Sequence, residues 1–205
     1  MNRQPDKLPL SGVVLAGGRA GRLGGRDKTT LQFGEQTLLE RTLEIMAPLC
    51  DETLISSNSM NDYPGCRIIP DLNKGQGPLG ALYSCLLAAR NPNLFIVATD
   101  MPFITTAALA RLRQEHSGFD VVIPRSPDGM QPLASLYKKS CLNAIDRQLK
   151  RGNLKIRSFF PEVRVKVVEC LDFPKIFHKH IFLNINSPAD LKKALALYQA
   201  NKLKV

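Results

Sequence analysis

Short β-type runs and helical segments take turns along this 205-residue chain, and that alternation is what most constrains its fold. Strand patterns fall at residues 12–15, 53–57, 67–69, 94–99, 120–123, 133–137, 163–169 and 181–184. Helical patterns fall at 37–47, 79–90, 107–115, 139–150 and 188–200. The strand runs are rich in Val and Ile without in/out alternation, as in strands buried on both faces. The expected fold is therefore α/β, with a mostly parallel central sheet wrapped in helices. The last helix is the best marked: Ser187 can cap it, Pro188 suits the first turn and Asp190 can reach back. Leu191, Ala194, Leu195 and Tyr198 then share one face.

No repeat, low-complexity tract or Pro/Ser linker divides the chain, so residues 1–205 are expected to form one domain with a flexible N-terminus over 1–10. That N-terminus is polar and lacks the apolar core of a signal peptide. The longest mostly apolar runs, such as 81–89, are too short to span a bilayer. A cytoplasmic protein without membrane contact is expected. Cys50, Cys66, Cys85, Cys141 and Cys170 are odd in number, scattered and free of any Cys-x-x-Cys, so they read as buried small hydrophobes in a reducing compartment. A net charge of +10 calls for acidic partners. The cations are dispersed, Trp is absent and no run alternates aromatic and basic residues, which argues against nucleic acid. Phosphorylated small molecules fit the charge as well.

The run Val13-Val14-Leu15-Ala16 empties into Gly17-Gly18-Arg19-Ala20-Gly21-Arg22-Leu23-Gly24-Gly25-Arg26-Asp27-Lys28. Glycines let a ligand approach the main chain, whose N–H groups are then exposed, and the cations suit a polyphosphate. The loop is not an ATPase P-loop, because Arg22 and Asp27 stand where that motif needs Gly ahead of Lys28-Thr29. It contains no Gly-x-Gly-x-x-Gly either.

In a parallel sheet, ligands bind beyond the carboxyl ends of strands, and four further segments sit at such ends. Residues 95–98 lead into Thr99-Asp100-Met101-Pro102, where Asp100 can hold Mg²⁺ beside phosphates, Thr105 being the better cap for the next helix. Ile68-Ile69-Pro70-Asp71 precedes Gly75-Gln76-Gly77-Pro78-Leu79-Gly80, a glycine loop opening a helix whose free N–H groups favour an anion. Asp71 either accepts from a ribose or base, or caps a turn. Asn184 and Asn186 fall on one face if their segment is extended. Gly129-Met130-Gln131-Pro132-Leu133 reads as a hairpin-like turn that can contact a second substrate. His178 and His180 share a face but have no evident third ligand, so they read as surface histidines. The basic stretch 150–157 reads as a solvated charged turn.

In this order, Leu15-Ala16-Gly17-Gly18, Arg22-Leu23-Gly24, Asp27-Lys28, Asp71, Gly77-Pro78-Leu79, Thr99-Asp100-Met101-Pro102, Gln131-Pro132-Leu133 and Asn184-Ile185-Asn186-Ser187-Pro188 resemble the molybdenum cofactor guanylyltransferase family, over about residues 11–198. The resemblance implies a three-layer Rossmann-like nucleotidyltransferase fold. It implies transfer of GMP from GTP to molybdenum-molybdopterin with release of pyrophosphate, dependent on Mg²⁺. Delivery proteins and molybdoenzymes are the implied partners of the monomer expected here. The cytidylyltransferase of the same cofactor, or another small-molecule nucleotidyltransferase, is the alternative. By the same resemblance, the backbone of Leu15, Ala16, Gly17 and Gly18 binds GTP and Lys28 holds its phosphates. Asp71 contacts the nucleotide, Asp100 binds nucleotide and Mg²⁺, and Asn186 lies near metal and acceptor. Lys28, Arg19 or Arg22 offset developing charge. Two positions depart from the family pattern. Leu23 replaces a Met, a volume-conserving change. Ser56, with Asn58 two residues on, stands where the family has a nucleotide-contacting Asn.

Overall fold

The computed structural model describes residues 8–16, 22–23 and 26–202, with the side chains of residues 22, 23, 26, 27, 201 and 202 left aside. The chain runs β1 (Leu10–Leu15), β2 (Arg22–Leu23), β3 (Arg26–Asp27), β4 (Gln32–Phe33), β5 (Gln36–Thr37) and α1 (Leu38–Met46). It continues through β6 (Glu52–Ser56), β7 (Arg67–Ile69), α2 (Gly77–Ala88), β8 (Asn93–Ala98), α3 (Thr106–Gln114) and β9 (Val121–Ser126). The last elements are β10 (Gly129–Met130), β11 (Ala134–Lys138), α4 (Leu142–Lys150), β12 (Val165–Glu169) and α5 (Pro188–Lys202).

The main sheet is ordered β9–β11–β8–β1–β6–β7, with β10 and β12 also paired to β9. Strands β1, β6, β7 and β8 are mutually parallel, as are β9 and β12, while β11 runs antiparallel between β8 and β9. Alternate strand residues feed opposite faces. Val14, Phe95, Val97, Val122 and Leu136 pack with Leu39 and Met46 of α1 and Leu109 and Leu112 of α3. Val13, Leu54, Ile96, Val121 and Tyr137 pack with Leu79, Leu82 and Leu86 of α2 and Ile145 of α4. Both faces are thus apolar, which is why the strand runs show no alternation. Each fully buried Val, Leu, Ile or Phe contributes roughly 1.5–3 kcal/mol relative to exposure. The buried Tyr137 hydroxyl in this core donates to the Pro132 carbonyl at 2.8 Å.

A third, smaller core lies beside the sheet, where Phe33, Leu38, Phe103, Ile185 and Ala194 meet the Leu191, Leu195 and Tyr198 face of α5. Helix α5 opens as its sequence predicts. The Asp190 carboxylate accepts from the Ser187 N–H at 2.8 Å and hydroxyl at 2.8 Å, while the Ser187 hydroxyl accepts from the Asp190 N–H. Thr37 and Glu40 form the equivalent capping box on α1, and Thr105 caps α3.

Two expectations differ from the structure. Residues 181–184 form no strand: Ile181 and Phe182 are buried, but in turns that fill the first core. Residues 139–141 are a 3-10 turn, and α4 proper starts at Leu142. At the start of the described residues, Leu10 is buried in β1 and the Pro9 carbonyl accepts from Asn93. Among the described residues, no helix is long and apolar enough to cross a membrane.

Asp120 locks the start of β9 to its neighbours. Its carboxylate accepts from the Arg164 N–H at 2.9 Å, the Arg164 Nε–H at 3.2 Å and the Ser140 hydroxyl at 2.7 Å. Burial works against its ionisation, yet these hydrogen bonds and the Arg164 charge prevail and lower its pKa from 3.8 to about 2. The resulting stability is present above pH 4 and lost as pH falls toward 2. Asp120→Asn should therefore cost about 2 kcal/mol at pH 6, with the gap from wild type narrowing to roughly a third by pH 2.5 and closing only below pH 2. Urea midpoints over that range test this, and a pH-independent gap would count against it.

Candidate active site

The sheet reverses its winding between β1 and β8: from β1 the chain proceeds outward through β6 and β7, then returns to β8 on the other side of β1. At such a point the two connections diverge and leave a crevice at the carboxyl edge. Thr99 shapes that crevice. Its N–H at 3.2 Å and its hydroxyl at 2.5 Å both donate to the Leu15 carbonyl, folding the end of β8 over the end of β1. Asp100 is the next residue and emerges at the rim.

Three segments far apart in sequence meet there. Lys28 opens a 3-10 turn, Lys28–Thr30, and is only 5% exposed. Its ammonium donates to Asp100 Oδ2 at 3.3 Å and to Asn186 Oδ1 at 2.9 Å. The Asp100 carbonyl in turn accepts from the Ile185 N–H at 2.9 Å, which moors the segment before α5 to the end of β8. The Asp100 side chain stays 21% exposed, so a ligand can reach it. A lysine against one carboxylate and one amide oxygen is a charge arrangement that an incoming phosphate and cation can take over. Mg²⁺ binds through one or two carboxylates and substrate phosphates instead of an all-protein cage. Among the described residues, the reachable Asp100 carboxylate beside the Lys28 ammonium fits that habit.

The amides separate. Asn186 joins Lys28, whereas the Asn184 amide donates to the Phe182 carbonyl at 3.2 Å, because the segment is turned instead of extended. Asp71 lies past the end of β7 at the same edge and pairs reciprocally with Asn58. The Asn58 amide donates to Asp71 Oδ2 at 2.7 Å, and the Asp71 N–H donates to Asn58 Oδ1 at 2.9 Å. Ser56, by contrast, is buried against the Cys85 thiol. Asn58 is thus the amide that accompanies Asp71, brought there by a turn in which the Ser57 hydroxyl accepts from the N–H groups of Ser59 and Met60.

The Asp71 loop is tied to α2, since the Leu72 N–H donates to the Ser84 hydroxyl. Gly75, Gln76, Gly77 and Gly80 carry a Gly-x-Gly-x-x-Gly spacing that the first loop lacks. No strand leads directly into it, so it is no dinucleotide fingerprint. Its glycines answer to local sterics: Gly77 has φ +61, and a Cβ on Gly80 would come within 2.5 Å of the Gln76 side chain.

The N–H of Ala16 donates to the Ser56 carbonyl at 3.0 Å, and the carbonyl of Leu15 is taken by Thr99, so these groups serve the fold. Gly17, Gly18 and Arg19 lie outside the described residues, as does the side chain of Arg22. Gln131 donates to Ser126 and to the Gly129 carbonyl, closing its own hairpin, while the Leu133 carbonyl accepts from the Ala98 N–H beside the crevice. Burial pushes the thiols of Cys50, Cys85, Cys141 and Cys170 up to about 12, so none is a nucleophile near neutral pH. The His178 ring packs on Phe103 and its Nδ1 accepts from the His180 N–H. Among the described residues, no group of three or more His, Cys, Asp and Glu gathers to hold a metal. Thr99 is the contributor that pattern reading passed over. Its one trace was a small hydroxyl directly before the strand-end carboxylate.

A mostly parallel sheet flanked by helices, with Lys28, Asp100 and Asn186 at its carboxyl edge, defines a Rossmann-like nucleotidyltransferase. The model of the MobA-like NTP transferase domain matches residues 12–167, and the chain belongs to that family. It is 32% identical over 198 residues to a probable molybdenum cofactor guanylyltransferase of Pelotomaculum thermopropionicum, covering 95% of this chain and 96% of that one. It is 30% identical over 200 residues to the molybdenum cofactor guanylyltransferase of Desulfosudis oleivorans, covering 95% and 98%. Among solved structures, molybdopterin-guanine dinucleotide biosynthesis protein A of Archaeoglobus fulgidus superposes with a TM-score of 0.77 at 28% identity, covering 93% and 99%.

Proposed function

We propose that this chain transfers GMP from GTP to the terminal phosphate of molybdenum-bound molybdopterin and releases pyrophosphate. The observation that carries the reading is the buried Lys28 ammonium held between Asp100 and Asn186 at the crevice between β1 and β8. The full-length likeness to the guanylyltransferases above supports the choice of nucleotide and acceptor.

In the reaction, an oxygen of the acceptor phosphate forms a bond to the α-phosphorus of GTP. The bond from that phosphorus to the β-bridging oxygen breaks, and pyrophosphate leaves with the electron pair. A phosphomonoester is already largely dianionic near pH 7, its second pKa being about 6, so no general base or protein nucleophile is needed. The demand on the protein is positioning and charge. Lys28 moves from Asp100 onto phosphate oxygens and offsets the charge that develops there. Asp100 and the phosphates would hold Mg²⁺, which supplies further charge neutralisation when bound. Asn186 orients the Lys28 ammonium. Asp71 with Asn58 offers one carboxylate and one amide to the nucleoside beyond the glycine loop of α2.

The test is transfer of α-labelled nucleotide to molybdenum-loaded molybdopterin, with GTP, CTP and ATP in parallel, each with and without Mg²⁺. Transfer from GTP that requires Mg²⁺ is expected. A preference for CTP would move the protein to cytosine dinucleotide formation. No transfer by the folded protein from any nucleotide would overturn the reading.

A further inference from the structure

We propose that Arg41, on the first turn of α1, is a positioning residue that holds the three segments of the active site in register. This rests on the nucleotidyl-transfer reading above, but its structural half can be measured without it. Lys28, Asp100 and Asn186 come from three stretches separated by 72 and 158 residues from the lysine. No hydrogen-bonded ladder of the main sheet joins all three. The Asp100–Ile185 backbone bond and the third core hold them together, and a single guanidinium adds contacts to the Pro102 carbonyl, Phe33 and Tyr198.

Toward the Asp100 segment, Arg41 Nε donates to the carbonyl of Pro102, two residues beyond the carboxylate. Toward the Lys28 segment, its Cζ lies 5.7 Å from the centroid of Phe33, just past the 3-10 turn that Lys28 opens. Toward the Asn186 segment, the same Cζ lies 5.5 Å from the centroid of Tyr198 on α5. The two rings are themselves 5.0 Å apart, and Phe33 meets Phe103 edge-on at 5.6 Å. The Tyr198 ring is so close to the turn after Phe33 that a Cβ on Gly34, at φ +73, would come within 2.6 Å of it. Half-buried Arg41 is therefore the shared vertex of a small aromatic cluster, and each arm of that cluster bears one active-site residue.

The chemistry calls for arginine. A planar, weakly hydrated guanidinium can face aromatic rings while its Nε–H remains directed in plane at a carbonyl. A lysine ammonium can reach one such partner, but it is a strongly hydrated point charge and does not stack. Nucleotidyl transfer by positioning is sensitive to small displacements, about 1 Å of misplacement being able to cost roughly 100-fold. Loosening this vertex should therefore fall on turnover more than on nucleotide affinity, because the Asp71–Asn58 pair is tied to α2 through Leu72 and Ser84 and not through Arg41.

The experiment compares wild type, Arg41→Met, Arg41→Lys and Tyr198→Leu, each well below its unfolding temperature, by steady-state transfer and by amide hydrogen exchange. The exchange probe is the Ile185 N–H, which donates to the Asp100 carbonyl. The control is Val97, inside β8. Arg41→Met and Arg41→Lys should lower kcat by about 10–100-fold with the KM for GTP within about threefold. They should also speed Ile185 exchange about tenfold with Val97 unchanged, and Tyr198→Leu should move both in the same direction, by less. If Arg41→Met does not fold, the same two readouts on Arg41→Lys and Tyr198→Leu decide. Unchanged kcat, unchanged Ile185 exchange, or Ile185 and Val97 accelerating together would each overturn the positioning role, the last marking mere destabilisation. If wild type transfers no nucleotide, the functional reading fails, and Ile185 exchange alone then shows whether Arg41 ties the segments.

Discussion

Asp100→Asn should lower nucleotide transfer by about a thousandfold, about 4 kcal/mol of transition-state stabilisation, in a protein that still folds. The substitution preserves shape. Asparagine's Oδ1 can still accept from the Lys28 ammonium, and Asn186 Oδ1 at 2.9 Å remains its second acceptor. The backbone carbonyl of residue 100, which moors Ile185, is untouched. Only the negative charge is lost, at a side chain 21% exposed, where solvent softens the change. Stability should therefore fall by about 1–2 kcal/mol, less than the roughly 3–5 kcal/mol for breaking a fully buried pair. The rate should respond more, because among the described residues this carboxylate is the acidic group at the crevice between β1 and β8 placed to share a cation with the phosphates. Single-turnover transfer at Mg²⁺ concentrations raised well above saturation, with thermal unfolding alongside, measures both. Recovery of the wild-type rate at high Mg²⁺ would mean that Asp100 contributes affinity alone, and wild-type behaviour throughout would remove it from the site.

Much of this architecture is legible in the chain because burial on both sheet faces leaves a compositional mark. Runs such as Leu94-Phe95-Ile96-Val97 cannot serve a half-exposed strand, and the helices between them follow. The strand-end carboxylate Asp100 and the Ser187–Asp190 cap are legible for a similar reason, since their chemistry is local. What fails is whatever depends on distant partners. Ile181 and Phe182 look like a strand because they are apolar, yet their burial is in turns under the sheet edge. With no strand there, the period-two argument that joined Asn184 to Asn186 lapses, and only Asn186 reaches Lys28. Ser56 matches the family position by count. The turn at Ser57 buries it all the same and delivers Asn58 to Asp71. Arg41 reads as an ordinary polar position on an amphipathic helix, because nothing local reports that Phe33, Pro102 and Tyr198 surround it. Short-range signals specify the elements, and tertiary closure alone specifies which side chains share the crevice.

Lys28→Met should lower kcat/KM for GTP by about 100- to 1000-fold while leaving stability nearly unchanged. The two effects part company because the lysine faces different partners in each setting. In the folded chain its ammonium is buried, 5% exposed, against Asp100 and Asn186. The attraction in such a pair is largely offset by desolvation of both charges, so its net worth is small wherever the partner left behind can be solvated. The Asp100 carboxylate left behind remains in reach of water. In the proposed reaction the same ammonium would offset the charge that develops on the phosphates, where no methionine can substitute. Transfer kinetics and urea unfolding separate the two. Comparison with Asp100→Asn goes further, because the residues touch at 3.3 Å and should act as a unit. The double variant should lose much less than the product of the single losses, as expected for directly coupled groups. If the losses simply multiply, Lys28 and Asp100 act on separate steps, and the contact between them belongs to the nucleotide-free protein rather than to catalysis.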